Sequence, residues 1–231
     1  MYAALIDVGG EDEAAHDVLS GDLENPGRDY TCCHIVAVDL SGLQDPAVGR
    51  PIYRIVNTRV WHGTRVTALL GQLRTFLSVW QPRWIVADAT CVGQGLVSFL
   101  AASANFGDKV VAFTFSALTK AQLGSSFLSV VETGRFRYFA GDDDDCRQFW
   151  RECEYCAYSV PDGEGAIDRR LKWGVPDGQR DALTGELVHD DRLVAAALVG
   201  VLDDQVWNVF QGGGTVTDGR AVGERMESEG F

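Results

Sequence analysis

Apolar positions along this chain follow two alternating periods. Tyr2–Val8 is an apolar stretch broken only by Asp7, the length of one buried strand, and Gly9–Gly10 closes it. A long acidic segment containing Pro26 and Gly27 follows, too polar for a core. Thr31–Leu40 and Pro51–Val60 read as a second and third strand, separated by the turn-rich Ser41–Arg50. Three successive extended runs predict an antiparallel meander. The period then changes. Val66, Leu69, Leu70, Leu73, Phe76, Leu77 and Trp80 recur at helical spacing, with Thr64 as N-cap and Pro82 beyond the end. Arg83–Ala87 is a short β-rich run, so a crossover helix feeds a fourth strand.

Gly93–Asn105 is predicted helical, Val110–Phe115 a fifth strand, and Leu118–Glu132 and Asp145–Ser159 two more helices. Ala166–Val188 is punctuated by Gly and Pro, with Arg169–Trp173 strand-like, and predicts a β-hairpin excursion. Asp190–Leu202 is the last helix, its apolar face made by Val194, Ala197, Leu198 and Val201. Residues 1–210 therefore form one domain, and the Gly-rich, aperiodic residues 211–231 a disordered tail. The order βββαβαβα is that of an α/β, RNase H-like fold. It has a mixed central sheet, a three-strand antiparallel meander extended by parallel crossover strands, flanked by helices.

Composition agrees with one soluble domain: 231 residues, 46% hydrophobic and 10% aromatic. No apolar run approaches the roughly 20 residues that span a bilayer. The start of the chain lacks the basic residues of a signal peptide, so no membrane association and a cytoplasmic location are expected. Six cysteines include adjacent Cys32–Cys33 in a strand-like stretch, unlike a secreted disulfide framework. Cys153 and Cys156 share a helical face with Phe149 and read as small buried apolar groups; a zinc site there would need two more ligands, and only Cys146 is near.

The net charge of −13 argues against generic nucleic-acid binding. Much of the acid, however, lies in Glu11–Asp29 and Asp142–Asp145. Basic residues gather at Arg135, Arg137, Arg147 and Arg151, and again at Arg169, Arg170 and Lys172. Global charge therefore leaves the partner open. No G-x-x-x-x-G-K-[ST] occurs, and Cys91-Val92-Gly93-Gln94-Gly95 lacks the residues of a phosphate loop.

Candidate chemistry lies in Asp7, Asp88 and the doublet Asp190–Asp191, each at the end or start of a predicted element. With the first strand central and the first crossover strand beside it, Asp7 and Asp88 share one level. The last helix can bring Asp190 and Asp191 to the same point. Carboxylates gathered so repel one another unless a cation lies between them. Four have the oxygens to hold two Mg²⁺ or Mn²⁺ ions about 3.5–4 Å apart, one activating water and one stabilising a leaving 3′ oxygen. Simpler roles exist for two of these positions: Asp190 or Asp191 as a helix cap, Asp88 as a turn former. Asp7 interrupts an apolar run and is harder to explain structurally. His189 is an auxiliary ligand or a polar flank, and Glu11 and Asp12 are auxiliary ligands or solvated loop.

Asp7-Val8-Gly9-Gly10, Asp88-Ala89-Thr90-Cys91-Val92-Gly93 and His189-Asp190-Asp191, in this order and spacing, resemble the C-terminal nuclease domain of the large terminase subunit of tailed bacteriophages. Trp61-His62-Gly63 and Lys172-Trp173-Gly174-Val175-Pro176 are also similar to it. The resemblance covers Tyr2 to Asp204. It implies a metal-dependent endonuclease of little sequence preference that cuts concatemeric double-stranded viral DNA in the host cytoplasm. It also implies a packaging ATPase domain, a small terminase subunit and a portal protein as partners. Asp7, Asp88 and Asp190–Asp191 match the family's metal acids. The hairpin near Arg169–Trp173 resembles one bordering the DNA groove, making Arg169, Arg170, Lys172 and also Lys120 DNA-binding candidates. Two departures stand out. The ATPase is absent and the first core strand follows Met1 directly, which reads as an excised or separately encoded nuclease. Cys91 occupies a position where the family often has Gly. Rival readings are a resolvase- or transposase-like nuclease and a non-catalytic docking module of the same fold. An actin- or sugar-kinase-like nucleotide binder would need a second, similar domain.

Overall fold

The computed structural model describes residues 1–11, 27, 29–160 and 170–207. Its centre is β1 (Tyr2–Asp7), antiparallel to β2 (Tyr30–Asp39) on one side and parallel to β4 (Trp84–Asp88) on the other. β3 (Ile52–His62) continues the meander, β5 (Val110–Phe113) lies parallel to β4, and β6 (Phe136–Arg137) lies parallel to β3. The order across the sheet is β5-β4-β1-β2-β3-β6. The expected meander and parallel crossovers are thus present.

Helices cover both faces, so the central strands are apolar on both sides. Ala4, Ile6, Ile35, Ile85 and Ala87 pack with Leu69, Leu73 and Leu77 of α1 (Val66–Trp80) and Leu96 and Leu100 of α2 (Val92–Ala101). Ala3, Leu5, Val36, Tyr53, Ile55 and Val86 face the other way. They meet Leu123 and Val130 of α3 (Ala117–Glu132), Ala197 of α5 (Asp191–Ala197), and Val199 and Leu202 of α6 (Val199–Leu202). Because side chains alternate along a strand, Asp7 follows Leu5 and Asp88 follows Val86 onto this second face, under α5. A third cluster joins Phe149 of α4 (Asp144–Tyr155) to Leu193 and Ala196.

Several boundaries differ from expectation. Thr64 does not cap α1: Arg65 occupies the N-cap without a side-chain hydrogen bond, and the Val66 N–H donates to the Glu11 carboxylate at 3.1 Å. α4 stops at Tyr155 because Cys156 turns extended. Ala157–Ser159, expected as helix, instead forms β7, paired antiparallel with β8 (Lys172–Gly174). β6 has only two residues and no period to reveal it. The last helix divides at Leu198. Asp12, Arg169 and the tail 211–231 lie outside the described residues. No helix among the described residues is long and apolar enough to cross a membrane.

The β7–β8 hairpin is docked by Trp173, whose indole N–H donates to the Lys120 carbonyl at 2.6 Å. The ring lies against Gly124 of α3, where a Cβ would fall inside van der Waals contact of the indole. Ala at an exposed helical site would gain about 1 kcal/mol over Gly. Here overpacking, at about 1–3 kcal/mol, opposes that gain. Gly124→Ala is therefore expected to lower the urea midpoint or leave it unraised, and to shift Trp173 fluorescence.

Candidate functional site

Asp7 ends β1 and Asp88 ends the parallel neighbour β4; Ile6 pairs with Ala87, which sets the two acids at one level. The Asp88 carboxylate is fixed locally. Thr90 N–H donates to its Oδ1 at 2.7 Å, and the Val8 N–H reaches it from just past the end of β1. Thr90 Oγ1 in turn accepts from Phe115 N–H at 2.8 Å. Gly93 is required in this turn, since a Cβ would strike the Asp88 carbonyl.

α5 brings the remaining pair. His34 on β2 is buried; its Nε2 donates to the Arg192 carbonyl at 2.9 Å, and its Nδ1 accepts from Thr58 Oγ1 at 2.8 Å. Burial lowers its pKa to about 4, so it stays neutral in this bridge. Arg192 reaches Asp145 at 2.8 Å and the buried Glu152 at 3.2 Å. Glu152 also accepts the Leu193 N–H at 2.8 Å. An acid on α4 thereby serves the amides that open α5, a role normally taken by the N-cap side chain. Asp190 occupies the N-cap yet makes no capping hydrogen bond. Its Oδ2 lies 3.6 Å from Lys120 Nζ instead, packed so closely on Gly174 that no Cβ fits there. Neither member of the doublet is consumed as a cap.

Asp191 is buried and accepts the Tyr30 N–H. Its Oδ2 has no hydrogen-bond partner among the described residues; His189 Nδ1 lies 3.9 Å away. Burial raises all three carboxyl pKa values: Asp191 to about 7, Asp88 upward, and Asp7 well above the usual range. For Asp7, Asp191, Asp88 and Asp190 raise it further in that order, and Lys120 opposes them. Asp7, Asp88, Asp190 and Asp191 therefore share one electrostatic neighbourhood. This donor set suits a hard divalent cation: oxygen ligands, excess negative charge and an orphaned buried oxygen.

Other expected residues fall differently. Lys120 lies among the acids, with Nζ 5.7 Å from the Trp173 ring. Lys172 is exposed on β8 and Arg170 is half-buried. Arg135, Arg147 and Arg151, read as a basic cluster, are paired within the protein with Asp203, Asp142 and Asp181. Glu11 is bound to the start of α1. Sequence reasoning missed Asp29 and Glu152. The signal for Asp29 was Gly9, whose α-carbon packs directly on the Asp29–Tyr30 peptide.

Residues 20–195 match the model of the terminase RNase H-like domain family. The chain belongs to that family. Among solved structures, the terminase RNase H-like fold recurs in the large terminase nuclease from thermophilic phage G20c. That match has 15% identity and a TM-score of 0.52, covering 86% of this chain and 80% of the other. The same nuclease with bound zinc matches at 16% identity and a TM-score of 0.48, over 86% and 80% of the two chains. Thermus thermophilus RuvC aligns at 15% identity and a TM-score of 0.33, over 56% and 68%. No curated protein matches the chain. In this terminase domain the turn after Asp88 closes with Cys91 at φ +46°, a conformation non-glycine residues rarely adopt.

The raised Asp191 pKa fixes a sign. Between its ordinary value near 3.8 and about 7, the folded state binds the extra proton, so Asp191 withdraws stability as pH rises through that window. Asp191→Asn is therefore expected to gain stability over the parent as pH goes from 5 to 7.5 in EDTA, by at most about 3 kcal/mol. Chemical denaturation at the two pH values measures this; an unchanged difference would contradict it.

Proposed function

We propose that this chain is the metal-dependent endonuclease domain of a viral DNA-packaging terminase, acting on concatemeric double-stranded DNA with little sequence preference. The observation that carries the proposal is the convergence of Asp7, Asp88 and Asp191, each made hard to ionise by burial, on one face of the sheet beneath α5. These three, with Asp190 beside them, would hold Mg²⁺ or Mn²⁺, in a pair of ions. Such ions, when bound, supply positive charge at the scissile phosphate and lower the pKa of a coordinated water.

The protein's own groups do the positioning. Thr90 and Val8 hold Asp88, and Tyr30 holds Asp191. Lys120 offsets part of the negative charge at Asp190, which lessens repulsion of an incoming phosphate. The hairpin lies beside Lys120 through Trp173, so Lys172 and Arg170, with Arg169 next to them in sequence, are proposed to contact the DNA backbone. Affinity from such contacts falls as salt rises. Hydrolysis should leave 5′-phosphate and 3′-hydroxyl ends. A packaging ATPase, a small terminase subunit and a portal are the proposed partners, in the cytoplasm of the infected host.

Supercoiled plasmid is expected to be nicked and linearised with Mg²⁺ or Mn²⁺ and to survive in EDTA. Asp7→Asn and Asp88→Asn should slow cutting about 100-fold or more, a loss of ~3 kcal/mol of transition-state stabilisation, with far-UV circular dichroism unchanged. Full activity in folded Asp88→Asn would refute the proposal and leave a docking role for the domain.

A further inference from the structure

A cavity of about 340 Å³ opens beside the carboxylates, and none of Asp7, Asp88, Asp190 or Asp191 lines it. Its walls include Tyr30, Gln148, Glu152, Glu186, His189 and Arg192. That volume is at the small end of the roughly 300–1,000 Å³ of ligand pockets. Most of the wall is held in place by the fold. Arg192 is committed to Asp145 and Glu152, and Arg151 binds Asp181 at 3.0 Å and Glu186 at 3.6 Å. His189 Nδ1 lies 3.2 Å from Asp29 Oδ1. Two half-buried groups are left over: the Tyr30 hydroxyl and the Gln148 amide make no side-chain hydrogen bond among the described residues.

The chemistry of the wall narrows the occupant. Arg192 is already neutralised, and Glu152 and Glu186 repel a phosphate. Each of these two acids is also paired with a guanidinium, so there is no surplus charge to hold a cationic side chain. What remains is an acceptor-rich surface with two free donors. It matches a neutral heterocycle that presents an amino group beside a ring acceptor: carboxylates accept from the cytosine amino group, and glutamine pairs with the matching edge of adenine. The cavity also adjoins the metal acids. The Tyr30 N–H donates to Asp191, and His189 Nδ1 is 3.9 Å from Asp191 Oδ2.

We propose that this cavity receives one unpaired nucleobase of the strand being cut and favours cytosine or adenine over thymine or uracil. The proposal rests on the nuclease reading for the identity of its ligand. Freeing a base from a duplex costs a few kcal/mol, least where it is already unpaired. The preference is therefore strongest at nicks, gaps and ends and faint on intact duplex, in keeping with cutting of little overall sequence preference.

The full chain in EDTA is titrated with fluorescein-labelled hexamers of deoxycytidine and of deoxyuridine, followed by anisotropy. The two bases differ in one edge, an amino group and ring acceptor against a carbonyl and N–H. The deoxycytidine hexamer should bind about fivefold tighter. Glu186→Gln, whose amide can donate to the uracil carbonyl, should bring the ratio below about twofold, and Gln148→Ala should weaken deoxycytidine binding about threefold or more, both with unchanged far-UV circular dichroism. Equal affinities in the parent, or a ratio and affinity unchanged in both folded variants, would overturn the pocket. So would binding of neither hexamer with capture of an arginine peptide that Glu186→Gln releases, which gives the cavity to a protein partner. Loss of plasmid cutting in Asp88→Asn with no hexamer preference keeps the nuclease and removes the pocket. Full cutting in folded Asp88→Asn with the preference intact does the reverse.

Discussion

The amides at the start of α5 need an acceptor, and Glu152 supplies it from another helix. The freedom of Asp190 and Asp191 at the site depends on that acceptor. Had Asp190 or Asp191 capped its own helix, one carboxylate would be bound to backbone and directed away from the sheet. Glu152 instead takes the Leu193 N–H and one arm of the Arg192 guanidinium, while the neutral His34 holds the Arg192 carbonyl. Burial pushes the Glu152 pKa up to about 8, and Arg192 opposes that shift. Removing Glu152 would leave the Leu193 N–H without its acceptor, at a cost of about 1–3 kcal/mol, while Arg192 keeps Asp145.

That anchoring permits an arrangement no isolated chain would favour. Asp7, Asp88 and Asp191 are brought under a helix where burial resists the ionisation of all three, and at Asp7 the charges of Asp191, Asp88 and Asp190 add to that resistance. Two apolar faces of the sheet hold them there, together with the backbone amides of Val8, Thr90 and Tyr30. Strain is concentrated nearby as well, in Cys91 at positive φ in the turn that presents Asp88. A divalent cation bound there would relieve the repulsion, so the proposed metal binding would raise the stability of the domain.

Much of this was legible in the chain. Apolar runs gave the meander and crossovers, and the alternation within Tyr2–Asp7 and Trp84–Asp88 is enough to place both acids on one face. The doublet Asp190–Asp191 was ambiguous, because a helix-opening acid looks the same whether it caps or not. Only the partner on α4 resolves it, and Glu152 reads in sequence as an ordinary acid of an amphipathic helix. Asp29 was hidden within an acidic run; its position follows from a backbone contact with Gly9, which no periodicity encodes. The arginines of the presumed basic cluster are tied to Asp203, Asp142 and Asp181, contacts made between elements distant in sequence or across a single turn. β6 and β7 are too short to carry a pattern.

The central claim is that these carboxylates converge to bind metal, and diffraction from crystals soaked in Mn²⁺ tests it most directly. Anomalous density is expected about 2.0–2.4 Å from carboxylate oxygens of Asp7, Asp88 and Asp191, with α5 unmoved. Density confined to surface acids, or a cluster that stays empty at saturating Mn²⁺, would contradict it.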